Sequence, residues 1–348
     1  MPLVTNYNDV RAIYRDAAQR KIGLPVFCAE DRETLEAILA SALEYGKRIG
    51  VNDLPIIPAW TSRYPPRSQM ALVSACGNPR LGHRLFFSDL AVFSGPDSPY
   101  QHLRIMPHLD HAFPWLDADV LIEWADKFAS VMCDASEKSL DENIRITAEY
   151  VHKVRGKVVV EGAVNEVPDS TRLAAGIGKD HTTPEQARRF LEGTGVDIIV
   201  PNVGTEHRAT ATVARYNAAA AKAISDAVGS ILCLHGTSSV PHETLSLLPT
   251  HGFVKINIYT TLAVHGGQAV ARNVLLNLAH IFNKDQLQRW IDLGVLGPAV
   301  LDKSTQAEAI GPRLRDVTNP PRRDAWFGAV RDRCTDYLDA LGYKKFSA

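Results

Sequence analysis

Eight short apolar runs recur along this chain with helically spaced segments between most of them, and this alternation restricts the fold more tightly than any other feature. The runs are residues 24–29 (LPVFCA), 54–61 (LPIIPAWT), 103–111 (LRIMPHLDH), 130–136 (SVMCDAS), 157–164 (KVVVEGAV), 196–203 (VDIIVPNV), 231–238 (ILCLHGTS) and 253–260 (FVKINIYT). Runs that are apolar throughout, with no in-out alternation, belong to strands covered on both faces, as in parallel sheets. Between them, RETLEAILASALEYGKRIG, LDADVLIEWADKFA, LDENIRITAEYVHKVRG, PEQARRFLEGTG and ATATVARYNAAAAKAISDAVG place apolar residues three and four apart. Several of these open on Asp or Pro and close on Gly. Strand and helix alternating eight times predicts an α/β fold, a (β/α)8 TIM barrel, with a doubly wound open sheet as the alternative. We expect a single domain over residues 1–348, with the barrel at about 20–282 and a helical C-terminal extension at about 283–348.

Two stretches interrupt the rhythm. Residues 62–102 read as a long insertion after the second run, and residues 165–182 (NEVPDSTRLAAGIGKDHT) as a polar loop after the fifth. In a barrel both would overhang the face where the strands end, where long loops act as lids or binding elements.

Charge and cysteine content exclude other classes. With 38 Lys+Arg against 39 Asp+Glu, the formal charge of -1 provides no field to draw in nucleic acid or an anionic membrane. Five scattered cysteines without a C-x-x-C pair read as reduced thiols, not as a disulfide frame or a zinc knuckle. The charged first twenty residues lack a signal-like apolar core, and no window approaches the ~18 apolar residues of a spanning helix. The expected location is cytoplasmic and the expected partner a small molecule, with no nucleic acid and no membrane.

Chemistry in a barrel concentrates where strands run out. The third run ends HLDH, with His108, Asp110 and His111; the sixth leads to GTEH, with His207; the seventh ends LHG, with His235. One histidine near an apolar strand is usually a satisfied core or rim residue. Three at the same end of three strands suit Zn²⁺, which takes three protein ligands in catalytic sites and keeps a position for substrate. Asp110 then either orients a histidine or exchanges a proton with substrate. Gly236, Ser238, Ser239 and Thr260 lie after the seventh and eighth runs, where this fold seats phosphate, although Ser and Thr are also ordinary turn and cap residues. Asp134 and Glu161, carboxylates in apolar runs, need a cation, a donor or the cavity as partner. Arg208 is either an exposed helix-start residue or an anion clamp.

Taken together, HLDHA at 108–112, SVMCDASEKSLDENI at 130–144, GVDIIVPNVGTEH at 195–207, LHGTSS at 234–239 and VKINIYTT at 254–261 resemble, in order, the motifs of the class II, zinc-dependent ketose-bisphosphate aldolases. That resemblance implies zinc on His111, His207 and His235, with Asp110 acting on the aldehyde oxygen or its hydroxyl equivalent. It also implies Asn257 beside the enediolate, Gly236, Ser238 and Thr260 at the phosphate, and a possible second cation near Asp134 and Glu161. The expected activity is carbon–carbon cleavage or formation on a ketose or ketose phosphate through a zinc-stabilised enediolate, within carbohydrate metabolism. A homodimer is implied as well.

The departures are as informative. Family members usually read V-E-A-E-L-G where this chain reads VEGAVN, so the second glutamate is Ala163. The loop that carries a mobile glutamate base reads NEVPDSTRL, with Thr171 near that point and Asp169 or Glu166 as substitutes; Asp169 is our candidate base. The glycine after the second zinc histidine is Arg208, the aspartate of N-I-D-T is Tyr259, and the asparagine of the first strand is Cys28. The resemblance thus implies a retained metal centre and a rebuilt substrate shell, which points away from ordinary fructose bisphosphate and, through Arg208, toward an acidic substrate. A metal-dependent sugar epimerase or isomerase and a non-catalytic partner subunit are the alternatives.

Overall fold

The computed structural model describes residues 3–168, 181–209, 216–302 and 311–347. Its contacts divide the chain into two compact units, Met1–Thr261 with Cys334–Ala348, and Leu262–Arg333.

The first unit is a closed parallel barrel. Its strands are β1 (Leu24–Cys28), β2 (Pro55–Thr61), β3 (Arg104–Ile105), β4 (His108–Ala112), β5 (Ser130–Cys133), β6 (Val159–Ala163), β7 (Ile198–Val200), β8 (Leu232–Leu234) and β9 (Phe253–Ile258). Going round, the order is β1-β9-β8-β7-β6-β5-β4-β2, and pairing of β1 with β2 closes the ring. The eight apolar runs thus supply the eight barrel strands of a (β/α)8 TIM barrel. Every barrel strand is buried along its whole length, as expected for a sheet covered on both faces.

Three local expectations need correction. The run at 103–111 is two strands: Pro107 has no N–H to donate, so β3 pairs briefly with β2 and the barrel strand starts afresh at His108. Residues 62–102 are not all loop, because they hold helix Pro79–Phe93, capped by Asn78, whose Phe86 ring packs 4.9 Å from Trp60. The helical pattern expected from 209 begins later among the described residues, at Ala218 behind an Asn217 cap. A further helix, Tyr7–Arg20, was not foreseen. Its Tyr14 hydroxyl lies 3.5 Å from Ser130 Oγ and its Tyr7 hydroxyl donates to Asp197 at 2.9 Å, so it covers the N-terminal ends of the strands. The opposite mouth, where the strands end, stays open for chemistry.

The second unit has its own small core of Leu278, Ala279 and Leu287, with Phe282 and Trp290 packed against it. Helix Lys284–Asp292, opened by an Asn283/Gln286 capping box, matches the sequence reading. Among the described residues no helix is long and apolar enough to cross a membrane.

Candidate active site

His111 reaches the mouth through an unusual backbone. Alternation along β4 turns His108 and Asp110 to one face and would send His111 to the other. Instead the β4–β5 register shifts between Leu109 and Ala112, and His111 adopts φ 44°, a left-handed conformation that a side chain rarely takes. Such strain persists where the surroundings enforce it and clusters at functional sites. With this turn, one nitrogen each from His111, His207 and His235 fall within 4.8 Å of one another.

The tautomers follow from the partners. His111 Nδ1 donates to Asp134 Oδ2 at 2.7 Å, and His235 Nε2 donates to Glu161 Oε1 at 3.1 Å. Asp134 is itself fixed by the Ser136 hydroxyl, 2.7 Å away. With both N–H groups spent on carboxylates, His111 Nε2 and His235 Nδ1 turn lone pairs toward each other across 3.2 Å. Opposed lone pairs repel unless a proton or a metal cation lies between them. The spacing is close to the ~3.3 Å edge of a tetrahedron built on Zn–N bonds of about 2.0–2.1 Å, and carboxylate–histidine pairs of this kind orient metal ligands. The donor set therefore fits a divalent ion. Burial, then the neighbouring His111 and His235, push His207 well below its ordinary pKa, so it stays neutral. Burial also lowers His235, whereas at His111 the pull of Asp110 and Asp134 outweighs burial and raises it.

Below the histidines runs a buried polar chain. Lys255, wholly buried in β9, ion-pairs with Glu161 Oε2 at 2.8 Å, donates to Asn257 Oδ1 at 2.7 Å and meets His108 Nε2 at 3.2 Å. Asn257 Nδ2 donates to Asp110 Oδ1 at 2.9 Å, and Arg67 Nη2 donates to Asp110 Oδ2 at 3.0 Å. Burial alone would raise the Asp110 carboxyl, but His111, His235, Arg67 and His108 together hold it well below the usual carboxylate range.

A cleft lies over this floor, lined among others by Cys28, Asp110, the three histidines and Arg208. Gly236, Ser238, Asn257, Tyr259 and Thr260 line it as well, so these expected substrate-side positions converge on one cavity. Ser239 turns instead to the backbone, accepting from Glu206 N at 3.0 Å and donating to Gly236 O at 2.7 Å. Arg208 has φ 55°, so the left-handed turn that suits glycine is kept and a guanidinium is added to it. Asp134 and Glu161 back different histidines, and among the described residues no ligand group contains both. Glu166 lines a second pocket on another side of the histidines, next to Asp134 and Ala163. Asp169 and Thr171 lie outside the described residues.

The class-II fructose-bisphosphate aldolase family matches residues 88–306. This chain belongs to that family. It is similar to a fructose-bisphosphate aldolase of Giardia intestinalis, 27% identical over 72% of this chain and 70% of the relative. It also resembles the D-tagatose-1,6-bisphosphate aldolase subunit GatY of Klebsiella oxytoca, 32% identical over 47% of this chain, an alignment spanning only 57% of that relative. Among solved structures, the fructose-bisphosphate aldolase of Campylobacter jejuni superposes with a TM-score of 0.72 at 17% identity, covering 97% of this chain and 94% of that one. The YdjI aldolase of Escherichia coli K12 gives 0.66 at 20% identity, covering 98% and 99%. These superpositions establish the shared barrel.

Several site residues were not singled out from sequence. Lys255 carried a signal, since a lysine inside FVKINIYT is as costly to bury unpaired as Glu161 in its own run. Tyr64, stacked on the His111 ring at 4.4 Å, and Arg67 carried none, because both come from an irregular segment whose path no periodicity reveals.

Proposed function

We propose that this chain catalyses reversible aldol cleavage of a ketose or ketose phosphate, with a divalent cation, best zinc, held by His111, His207 and His235. The opposed lone pairs of His111 and His235, each backed by a carboxylate, carry this reading. When bound, the cation supplies polarisation of a ketone and its neighbouring hydroxyl and stabilises the charge left when the carbon-bound proton is removed.

The chain's own residues then divide the remaining work. In cleavage, Asp110 takes the proton of the hydroxyl beside the breaking carbon–carbon bond, the bonding pair stays with the ketose half, and the other half leaves as an aldehyde. Asn257 is held by Lys255 and Asp110, so its amide is pre-set against substrate oxygens without reorganising during reaction. Gly236, Ser238 and Thr260 form the seat for the ketose end, and Arg208 supplies positive charge at the same cleft. A carboxylate of the segment after β6 moves the carbon-bound proton: Glu166 is near the histidines, and Asp169 is the candidate from sequence.

Zinc-loaded protein, chelated protein and His207→Ala should be compared in a screen of dihydroxyacetone phosphate with varied aldehydes, and of ketose phosphates in reverse. Carbon–carbon bond formation that disappears with chelator, returns with zinc and is absent in His207→Ala supports the reading. Turnover that survives chelation, or interconversion of sugars without aldehyde release, overturns it.

A further inference from the structure

Arg67 stands in the cleft without a role in the chemistry above. The segment that carries it is fixed: Thr61 N–H donates to Gln69 Oε1 at 2.8 Å, Ser68 Oγ donates to Ser62 O at 2.8 Å, and Arg63 forks onto Asp119 at 2.7 and 3.0 Å. The Arg67 side chain is only 11% exposed. Its guanidinium lies over the Tyr259 ring, 3.8 Å from the centroid, and Tyr259 is tied down by donating to Glu30 at 2.6 Å. With one face covered by that ring, the guanidinium still lines the cleft.

The Arg67 donors are not fully used. Nη2 serves Asp110 and Cys28 Sγ, whereas Nε is buried and finds no acceptor among the described residues. A guanidinium with donors left over, in a cleft that it lines, can take acceptor oxygens from a ligand. The surrounding charge points the same way. Of the described residues lining the cleft, Asp110 is the one acid, already shared between Asn257 and Arg67, against the two guanidiniums of Arg67 and Arg208. Arg208 also reaches the Arg67 segment, with Nη1 3.4 Å from Pro66 O.

We propose that Arg67 is a specificity-determining residue and that the half of the substrate released as aldehyde carries a carboxylate close to the carbonyl carbon. The inference rests on the aldol reading, in which Asp110 takes the hydroxyl proton. Because Arg67 Nη2 is 3.0 Å from the Asp110 oxygen, its free edge reaches a group one or two bonds beyond the reacting carbon. That span suits a short acid better than a phosphate at the far end of a three-carbon aldehyde. The flat fork of arginine matches a carboxylate edge-on.

The test compares kcat/KM for glyoxylate and malonate semialdehyde with glycolaldehyde and glyceraldehyde 3-phosphate, all with dihydroxyacetone phosphate, on wild type, Arg67→Met and Arg67→Lys. In wild type the acids should lead glycolaldehyde by about 10–100-fold, the range of a charge-assisted hydrogen bond, and Arg67→Met should erase most of that ratio. Arg67→Lys keeps the charge, loses the fork and should give an intermediate ratio; it replaces the Met variant if that one fails to fold by thermal melt. Preference for glycolaldehyde or for glyceraldehyde 3-phosphate, or a ratio unchanged in both variants, overturns the proposal. If no aldehyde reacts, the aldol reading has failed, and calorimetry of glycolate against zinc-stripped protein still decides on Arg67. Glycolate binding weakened about tenfold or more in Arg67→Met would then support the carboxylate site, and equal or absent binding would overturn it.

Discussion

Replacing Lys255 by Met tests whether the buried chain below the histidines works as one unit. Met fills a similar volume but leaves Glu161, itself wholly buried, without its cation, 2.8 Å away in the wild type. Removing one partner of a buried pair costs about 3–5 kcal/mol, because the remaining charge is left uncompensated. Lys255 also donates to Asn257 Oδ1 at 2.7 Å, and losing a charged donor to a buried acceptor belongs to the same loss. Glu161 has two ways to respond. It can stay ionised at that cost, or take up a proton and lose strength as acceptor for His235 Nε2–H, which would weaken metal binding by about 10–100-fold. The double variant Lys255→Met with Glu161→Gln removes both charges and keeps an amide oxygen facing His235. It should be more stable than Lys255→Met alone, with a coupling of about 2–3 kcal/mol. Urea unfolding of wild type, both single variants and the double, with zinc affinity by calorimetry, measures both effects. Single-variant losses that simply add, or a Lys255→Met loss under about 1 kcal/mol, would refute the reasoning.

Further expectations follow from particular residues. Arg208→Gly should stabilise the fold by up to about 1–2 kcal/mol, since glycine carries no penalty at φ 55°, while weakening anionic substrates; urea midpoints and KM values check both effects. Gly236→Ala should destabilise and displace His235, because at φ 71° a Cβ would lie 2.7 Å from the Glu206 backbone; zinc affinity and urea unfolding read this out. His83 accepts from Trp60 Nε1 at 2.9 Å, and burial, with the Arg63 charge next, lowers its pKa from 6.5 to about 3. Between those pH values the unfolded chain binds the extra proton, so His83 contributes stability at neutral pH that falls by about 1.4 kcal/mol per pH unit below 6.5. His83→Gln should flatten that part of the slope in urea titrations at pH 7, 6, 5 and 4.

The barrel was legible because each strand is buried on both faces and therefore apolar throughout, and because the helices between them carry their own caps and periodicity. His111, His207 and His235 were legible because three histidines stand at or after the same ends of three apolar strands, a coincidence that single core or rim histidines do not explain. The bulge that turns His111 inward was not legible: alternation assigns it to the opposite face from Asp110, and only the β4–β5 pairing reveals the extra residue. Arg67 and Tyr64 were hidden for a related reason. They belong to residues 62–68, whose path is set by distant partners such as Asp117 and Asp119, far along the chain from Arg63. Helix Pro79–Phe93 carries Asn78 and Pro79 as a start signal, which the surrounding turn-rich sequence obscured. The departures Cys28, Arg208 and Tyr259 were visible as departures, but their meeting around Arg67 needed coordinates.

The proposed chemistry depends on a shared cation at His111, His207 and His235. Calorimetric titration of metal-stripped protein with zinc tests this directly. We expect a single tight equivalent per chain, lost in His111→Ala, His207→Ala and His235→Ala alike, with all three variants still folded. Zinc uptake unchanged in any one of the three, or no tight binding in the wild type, would contradict it.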